Sequence, residues 1–411
     1  MEAHLNAGTS SLSSSFRHTL PATADWCTDR RSVRWYPQGS NVYSPNGVKM
    51  LRFGLASDSW LDPMTVNLNF QVVNNSYSSG DVNTNCHMVN GSWAFFKRLR
   101  VTMGGQLVED ISNYPRLWHM LLQSSPQAYR DNLSIPAGKR GDIIANSEKF
   151  SWPILCGILQ QDKCLPLRYC GLQVEFELVD NIADVMIESN ALPSGVTGQS
   201  TSWHVQDVFI TADLLTLDSS LEAEFANHLM KGKSMNLCYT SWYTSQHVVT
   251  QGFQIALTRA LTRIRALYMT MMRAGSGDKE AYDLRYPSID AANVFEFQLQ
   301  LGAKLYPEQK ITTVPEYYWK WAESVGIHSS VLSTSAISQA GFTSDSFIVG
   351  INMQKLMAEE GMTNYSGTSS KAGQLLSIRT DKSHSSIDRA YVTMVFDAIV
   401  SISEGGVEVF D

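Results

Sequence analysis

Residues 99–110 and 299–307 follow one plan about two hundred positions apart. The first copy, Leu99-Arg-Val-Thr-Met-Gly-Gly-Gln-Leu-Val-Glu-Asp110, leads into Tyr114-Pro115 and an aromatic helix. The second, Leu299-Gln-Leu-Gly-Ala-Lys-Leu-Tyr-Pro307, leads into Val314-Pro315 and another aromatic helix. Downstream, Phe150 to Asp180 and Phe347 to Asp381 each hold an apolar stretch, a loop and a strand ending in Asp, at offsets of 197 and 201. Each copy then closes on a long β-like segment, Val205 to Leu217 and Tyr391 to Ile402. A chain of 411 residues is long for one core, and the repeat divides it into two modules.

The modules are built of strands. Val66, Leu68, Phe70 and Val72 point one way while Asn67, Asn69 and Gln71 point the other. The same alternation recurs at Leu99-Val101-Met103, at Leu172-Val174-Phe176-Leu178, at Phe295-Phe297-Leu299-Leu301 and from Val392 through Met394, Phe396, Ala398 and Val400 to Ile402. A period of two marks antiparallel sheets with one covered face, whereas parallel sheets give continuous apolar runs. The expected fold is therefore all-β, with two tandem antiparallel jelly-roll β-sandwiches forming a double jelly roll. Jelly rolls suit the long helix-bearing loops better than immunoglobulin sandwiches, whose Cys…Trp…Cys pattern is missing.

Helices are few. One is expected over Val314–Val325, with Pro315 near its start and Thr313 and Glu316 as a capping box. A second spans Tyr114 to Leu122, with Pro115 in its first turn. A third, Leu221–Met230, has Ser219 and Glu222 in capping-box spacing and Gly232 beyond its end. It falls at mid-chain, as a connector between halves would. The expected divisions are an N-terminal arm over residues 1–45, a first jelly roll over 46–218, a connecting helix over 219–234 and a second jelly roll over 235–411. The arm is polar and aperiodic, and it is expected to order only against a partner.

Composition narrows the function. The net charge of −7 leaves no electrostatic case for gripping a phosphate backbone, so no sequence-specific nucleic-acid binding is expected. Cys27, Cys86, Cys156, Cys164, Cys170 and Cys238 are scattered with no CxxC pair, which reads as reduced thiols of a chain made in a cytosol. The N-terminal segment has neither the basic start nor the apolar run of a signal peptide, so the sequons at Asn90 and Asn364 are expected to stay unmodified. No run approaches the roughly 20 apolar residues of a membrane span, and even Ile255–Met272 is interrupted by Arg259, Arg263 and Arg265. A soluble protein is expected. Trp242, Tyr243, Trp319 and Trp321 supply amphipathic area for cores and for contacts between them.

Each group with chemical potential has a plainer reading. Glu175 and Glu177 share a strand face as paired catalytic carboxylates would, yet their alternation with Val174, Phe176 and Leu178 reads as a solvated face. Cys156, Cys164 and Cys170 with His119 or His87 carry zinc-ligand chemistry at spacings that match no finger or ribbon. Gly275–Lys279 lacks the length and the following helix of a phosphate loop and reads as a surface turn. Gly104-Gly105 reads as a tight hairpin needing positive φ. The one basic cluster, Arg259, Arg263, Arg265 and Arg273, reads as exposed or interface arginines rather than a contact to nucleic acid or membrane. No nucleophile elbow and no HExxH motif is present. No enzymatic activity, catalytic residue, cofactor or metal is expected.

The stretch Gly104-Gly-Gln-Leu-Val-Glu-Asp-Ile111 leading into Tyr114 resembles the first-half segment of double jelly-roll major capsid proteins of polinton-like viruses and related small eukaryotic DNA viruses. So do Cys164-Leu-Pro-Leu-Arg-Tyr169 and the strand from Leu172 to Asp180. In the second half, Gln300–Pro307, Lys371-Ala-Gly-Gln-Leu-Leu376 and Gly406–Asp411 are similar to the same group, so the likeness spreads over residues 45–411. The resemblance implies a major capsid protein that forms pseudo-hexameric homotrimers and tiles an icosahedral virion shell around double-stranded DNA. It implies neighbouring capsomers, penton and minor capsid proteins as partners, synthesis in the host cytoplasm and assembly there or in the nucleus. It leaves contact with an internal membrane open. At 411 residues the surface loops are expected to be short. Two other readings fit a β-sandwich chain: a carbohydrate-binding or glycoside-processing protein, which needs a cleft with paired acids and aromatic platforms, and a single jelly-roll RNA-virus capsid protein, which usually carries an Arg-rich arm.

Overall fold

The structure, a computed structural model, describes residues 26–187, 192–250, 252–273, 284, 287, 295–327, 335–355, 367–371, 374–380 and 387–411. The first half contributes β1 (Cys27–Trp35), β2 (Val42–Tyr43), β3 (Met50–Leu55), β4 (Trp60–Asn74), β5 (Cys86–His87), β6 (Phe96–Met103) and β7 (Gln106–Ser112). After α1 (Tyr114–Ser124) and α2 (Gln127–Ala137) come β8 (Ile143–Ile144), β9 (Ser147–Pro153), β10 (Leu165–Pro166), β11 (Leu172–Leu178) and β12 (Trp203–Leu217). The helix α3 (Ser219–Met230) leads to the second half: β13 (Met235–Val248), β14 (Phe253–Leu257), β15 (Ile264–Arg273), β16 (Phe297–Leu301) and β17 (Lys304–Ile311). Next come α4 (Val314–Val325), α5 (Gln339–Phe342), β18 (Val349–Asn352), β19 (Leu376–Thr380), β20 (Ile387–Ser403) and β21 (Gly406–Phe410).

These strands make the same pair of sheets twice. In the first half one sheet runs β1-β12-β4, with β9 and β10 along the far side of β4, and the other runs β3-β11-β6-β7. The second half repeats both orders as β13-β20-β15-β18 and β14-β19-β16-β17, and β21 adds to β20. Strand for strand, the two orders coincide, which is the jelly-roll arrangement expected from the repeat. Inward rows from the facing sheets fill each sandwich. Phe96 meets Phe70, Phe176 and Trp152 at centroid distances of 5.2, 5.1 and 5.9 Å, and in the second half Phe347 sits 5.3 Å from Tyr317. Phe and Trp pairs tilted or edge-on at such spacings add to the gain from burial alone. Nearly all the buried apolar residues of both halves belong to one contiguous cluster.

Three expectations need correction. The arm expected over residues 1–45 does not extend that far, since Cys27–Trp35 is a strand that pairs antiparallel with β12, from Cys27 opposite Leu217 to Trp35 opposite Ile210. Its outward run of Thr28 to Ser32 is exposed, so it shows none of the alternation by which the other strands betray themselves. The connecting helix is capped by Asp218, whose carboxylate accepts from the Ser220 N–H, one residue before the expected Ser219. Two helices, α2 and α5, went unforeseen. The first carries Pro136 inside it and buries only Leu133 and Ala137, and the second is four residues long.

Candidate assembly surface: the seam between the two halves

Two strand edges that would otherwise be open meet between the halves. The strand β7 ends the path of its sheet and β13 ends the path of its own. The turn before β7 is made by Gly104 at φ 56° and Gly105 at φ 84°, the left-handed values a two-residue hairpin requires. Gly104 has a second constraint, because a Cβ there would lie 2.7 Å from Val407 Cγ2 on β21 of the other half. Past the turn, the Tyr239 hydroxyl of β13 donates to the Val108 carbonyl at 3.1 Å, and Lys163 Nζ donates to the Asn236 carbonyl at 3.3 Å. Gly157, in the short turn after β9, packs so close that a Cβ would sit 1.9 Å from the Thr240 carbonyl oxygen. Only glycine lets the backbones approach this far.

A carboxyl lies at the centre of this contact. Glu109 on β7 is 2% exposed, and its Oε2 accepts from the Cys156 thiol at 2.9 Å and the Gly157 N–H at 3.0 Å. Burial pushes this carboxyl up to about 7, against the opposing pull of those two donors. The Cys156 thiol, buried beside it, is pushed well above the ordinary range and is therefore inert. Across β13, Asp397 on β20 is 1% exposed and is pushed up to about 6 by burial, with Arg265 Nη1 3.5 Å away and Thr240 Oγ1 at 3.4 Å acting against it. Farther along, the Arg116 guanidinium of α1 stands 5.4 Å over the Tyr391 ring of β20.

The residues singled out in the sequence take ordinary places. Glu175 on β11 pairs with Arg52 at 3.0 Å, and Glu177 stands opposite Arg98 in the sheet, so the two serve a solvated face. Cys156 donates a hydrogen bond to Glu109, Cys170 donates to the Pro166 carbonyl at 3.5 Å, and His119 Nδ1 lies 2.9 Å from Asn90 Nδ2. Among the described residues no three His, Cys, Asp or Glu side chains gather as a metal site. The arginines turn to the protein. Arg259 pairs with Asp411 at 2.8 Å and covers Tyr243, Arg263 donates to the Asp397 and Phe410 carbonyls, and Arg265 reaches Asp397. The Arg273 side chain and Gly275–Lys279 lie outside the described residues. Trp321 is core and Trp242 nearly so, while Trp319 is 61% exposed beside an apolar groove of about 320 Å³. That groove, lined by Val314, Pro315, Tyr318, Trp319 and Phe342, holds an aromatic platform but no carboxylate, so it lacks the paired acids of a glycoside-processing cleft. Among the described residues no helix is long and apolar enough to cross a membrane.

Sequence reasoning missed Glu109 and Gly157. Their only signals were an acidic residue directly after an apolar one on a strand and a glycine in an apolar run, neither of which stands out from a surface strand or a turn.

No family model matches the sequence, and no curated protein matches it. Solved structures do match along nearly the whole chain. VP54 of PBCV-1, fitted into a reconstruction of the virophage Sputnik, superposes with a TM-score of 0.66 at 10% identity over 96% of this chain and 99% of that one. The structure of the Sputnik virophage itself matches with a TM-score of 0.62 at 10% identity, over 96% of this chain and 90% of that one. The Faustovirus major capsid protein matches with a TM-score of 0.60 at 7% identity, over 93% and 92%. The chain has the double jelly-roll fold of these viral major capsid proteins.

Proposed function

We propose that this chain is a major capsid protein that assembles as pseudo-hexameric homotrimers into an icosahedral shell enclosing double-stranded DNA. One observation carries the reading: two sandwiches of identical strand order are joined edge to edge within a single polypeptide. Three copies then present six sandwich-sized blocks around a threefold axis, which suits a hexagonal lattice position with one gene product. The work is done by whole faces, so no catalytic residue is assigned. Residues 1–25 of the expected N-terminal arm lie outside the described residues, and penton and minor capsid proteins would complete the shell. The virion is the place of action, after synthesis in the host cytoplasm.

Multi-angle light scattering on recombinant protein at micromolar concentration tests the proposal. The expected particle is three times 45.8 kDa or a larger shell, burying well over about 2,000 Å² at its contacts and leaving no stable monomer on dilution. A monodisperse monomer that binds a small sugar would overturn it.

A further inference from the structure

Away from the seam, three connections of the first half are tied together around β5. On one side Cys86 and His87 pair with Ile144 and Ile143 of β8. The Met88 N–H donates to the Asp142 carbonyl and the Gly141 N–H to the Met88 carbonyl, each at 2.9 Å. On the other side the Ile187 N–H donates to the His87 carbonyl and the Val89 N–H to the Val185 carbonyl, again at 2.9 Å, and Met88 bridges to Met186. The Ser200 N–H closes onto the Asn85 carbonyl at 2.9 Å. The connections that follow β4, α2 and β11 thus share one knot.

Its side chains are apolar with one exception. Cys86, Met88, Val89, Ile144, Val185 and Met186 are buried, and so is His87, at 1% exposed. Neither ring nitrogen of His87 has a hydrogen-bond partner, whereas His119, His204 and His247 each have one on a neighbouring side chain. An imidazolium here would be a buried charge with no counter-ion. The charged groups on the surrounding segments are Asp142, which accepts from the Lys139 N–H at 2.8 Å, then Lys139 and Arg140 on the same loop, and Asp184 before Val185. None of them bonds to the ring, and burial alone pushes it below its ordinary 6.5. The same burial pushes the adjoining Cys86 thiol up to about 11.

We infer that this knot is an acid-operated catch: a proton taken up by His87 parts β5 from its two neighbours and uncovers Cys86, Met88 and Met186, while both sandwiches and the seam stay folded. The ring resists a proton while the knot is closed and accepts one freely once it is open, so the open form gains as pH falls below 6.5. With the closed form held neutral, the open fraction rises by up to about tenfold between pH 7.5 and 5.5. The seam answers in the opposite sense, because burial pushes the Glu109 and Asp397 carboxyls upward and acid strengthens their hold. Opening is therefore local. The catch lies within one sandwich and works whatever the chain assembles into, independently of the capsid reading.

Two native cysteines report the two places from within the full-length chain, Cys86 in the knot and Cys156 at the seam. Dithiodipyridine, a thiol reagent that works in mild acid, is applied at pH 7.5 and 5.5, and labelling of each cysteine is followed by peptide mass spectrometry. Each rate is divided by that of the same cysteine in urea-unfolded chain at the same pH. Cys86 should label up to about tenfold faster at pH 5.5, and Cys156 should not speed up. His87→Leu, checked for folding by circular dichroism, should remove the Cys86 response. A change at Cys86 of less than about twofold in the wild-type chain sinks the catch, whether or not the variant folds. So does a parallel rise at Cys156, which would mean general unfolding, and so does a folded His87→Leu chain that keeps the acid response.

Discussion

Burial holds the Glu109 carboxyl near 7 against an ordinary 4.5, so the folded chain keeps a proton there over a range in which the unfolded chain has released it. The stabilisation is complete below pH 4.5 and is lost as pH rises through 7, at about 1.4 kcal/mol per pH unit in between. Asp397, held near 6 against 3.8, acts in the same direction over a lower window. Urea midpoints should therefore fall from pH 5 to pH 7.5, and Glu109→Gln, which cannot ionise, should flatten much of that slope. An unchanged slope in the variant would place the effect elsewhere. Gly157 offers a second test, since any Cβ there meets the Thr240 carbonyl, whereas a Cβ on Gly171 meets nothing within 4 Å. Gly157→Ala should lower stability by several kcal/mol, of order 3, and Gly171→Ala by less than about 1. Equal thermal midpoints for the two variants would contradict the close approach. Neither Glu109 nor Gly157 was legible beforehand, because each is surrounded by segments distant in sequence, Glu109 by Cys156 47 positions on and Gly157 by Thr240 on β13, and alternation reports only which face a side chain takes.

Elements were legible where local chemistry and burial agree. The helix α4 begins where Pro315 and the Thr313–Glu316 box place it, and the box is complete, with Thr313 Oγ1 accepting from the Glu316 N–H and the Glu316 carboxylate accepting from the Thr313 N–H. Those bonds hold the Glu316 carboxyl below its usual value. Thr313→Ala should cost about 1 kcal/mol, read as a lower urea midpoint, and Thr313→Ser should restore most of it. No loss in the alanine variant would mean that packing of Tyr317 and Trp321 alone fixes the helix start. The strands β4, β6 and β11 were equally plain, each with one buried row, whereas β16 and β20 carry the same alternation but bury residues on both faces. Strand β1 escaped notice for the opposite reason: with one neighbour and an exposed run, it obeys no period within the chain. Helix α2 escaped because Pro136 and a mostly polar surface hide its few buried residues.

At the scale of the whole molecule, the repeat led to two sandwiches but suggested two separate cores. Nearly all the buried apolar residues instead form one cluster running through both halves, because β13 and β21 close over β7. A repeat in sequence reports the modules and is silent about what joins them. The joint depends on pairs of residues, one from each copy, that have diverged: Glu109 is buried while its counterpart region in β17 stays exposed. The same divergence makes the two halves unequal, so that one chain can present different edges to different neighbours.

The seam also sets an order of events during translation. Tyr239 is made 131 residues after the carbonyl it binds, so the first half leaves the ribosome with β7 uncovered by β13. Over that interval a folded sandwich carries an open sheet edge, and neighbouring nascent chains on one message carry the same edge. Chains arrested before Tyr239 should therefore aggregate, and chains released beyond Val248 should pellet much less in the same extract. Equal solubility would mean that β7 is protected in some other way while it waits.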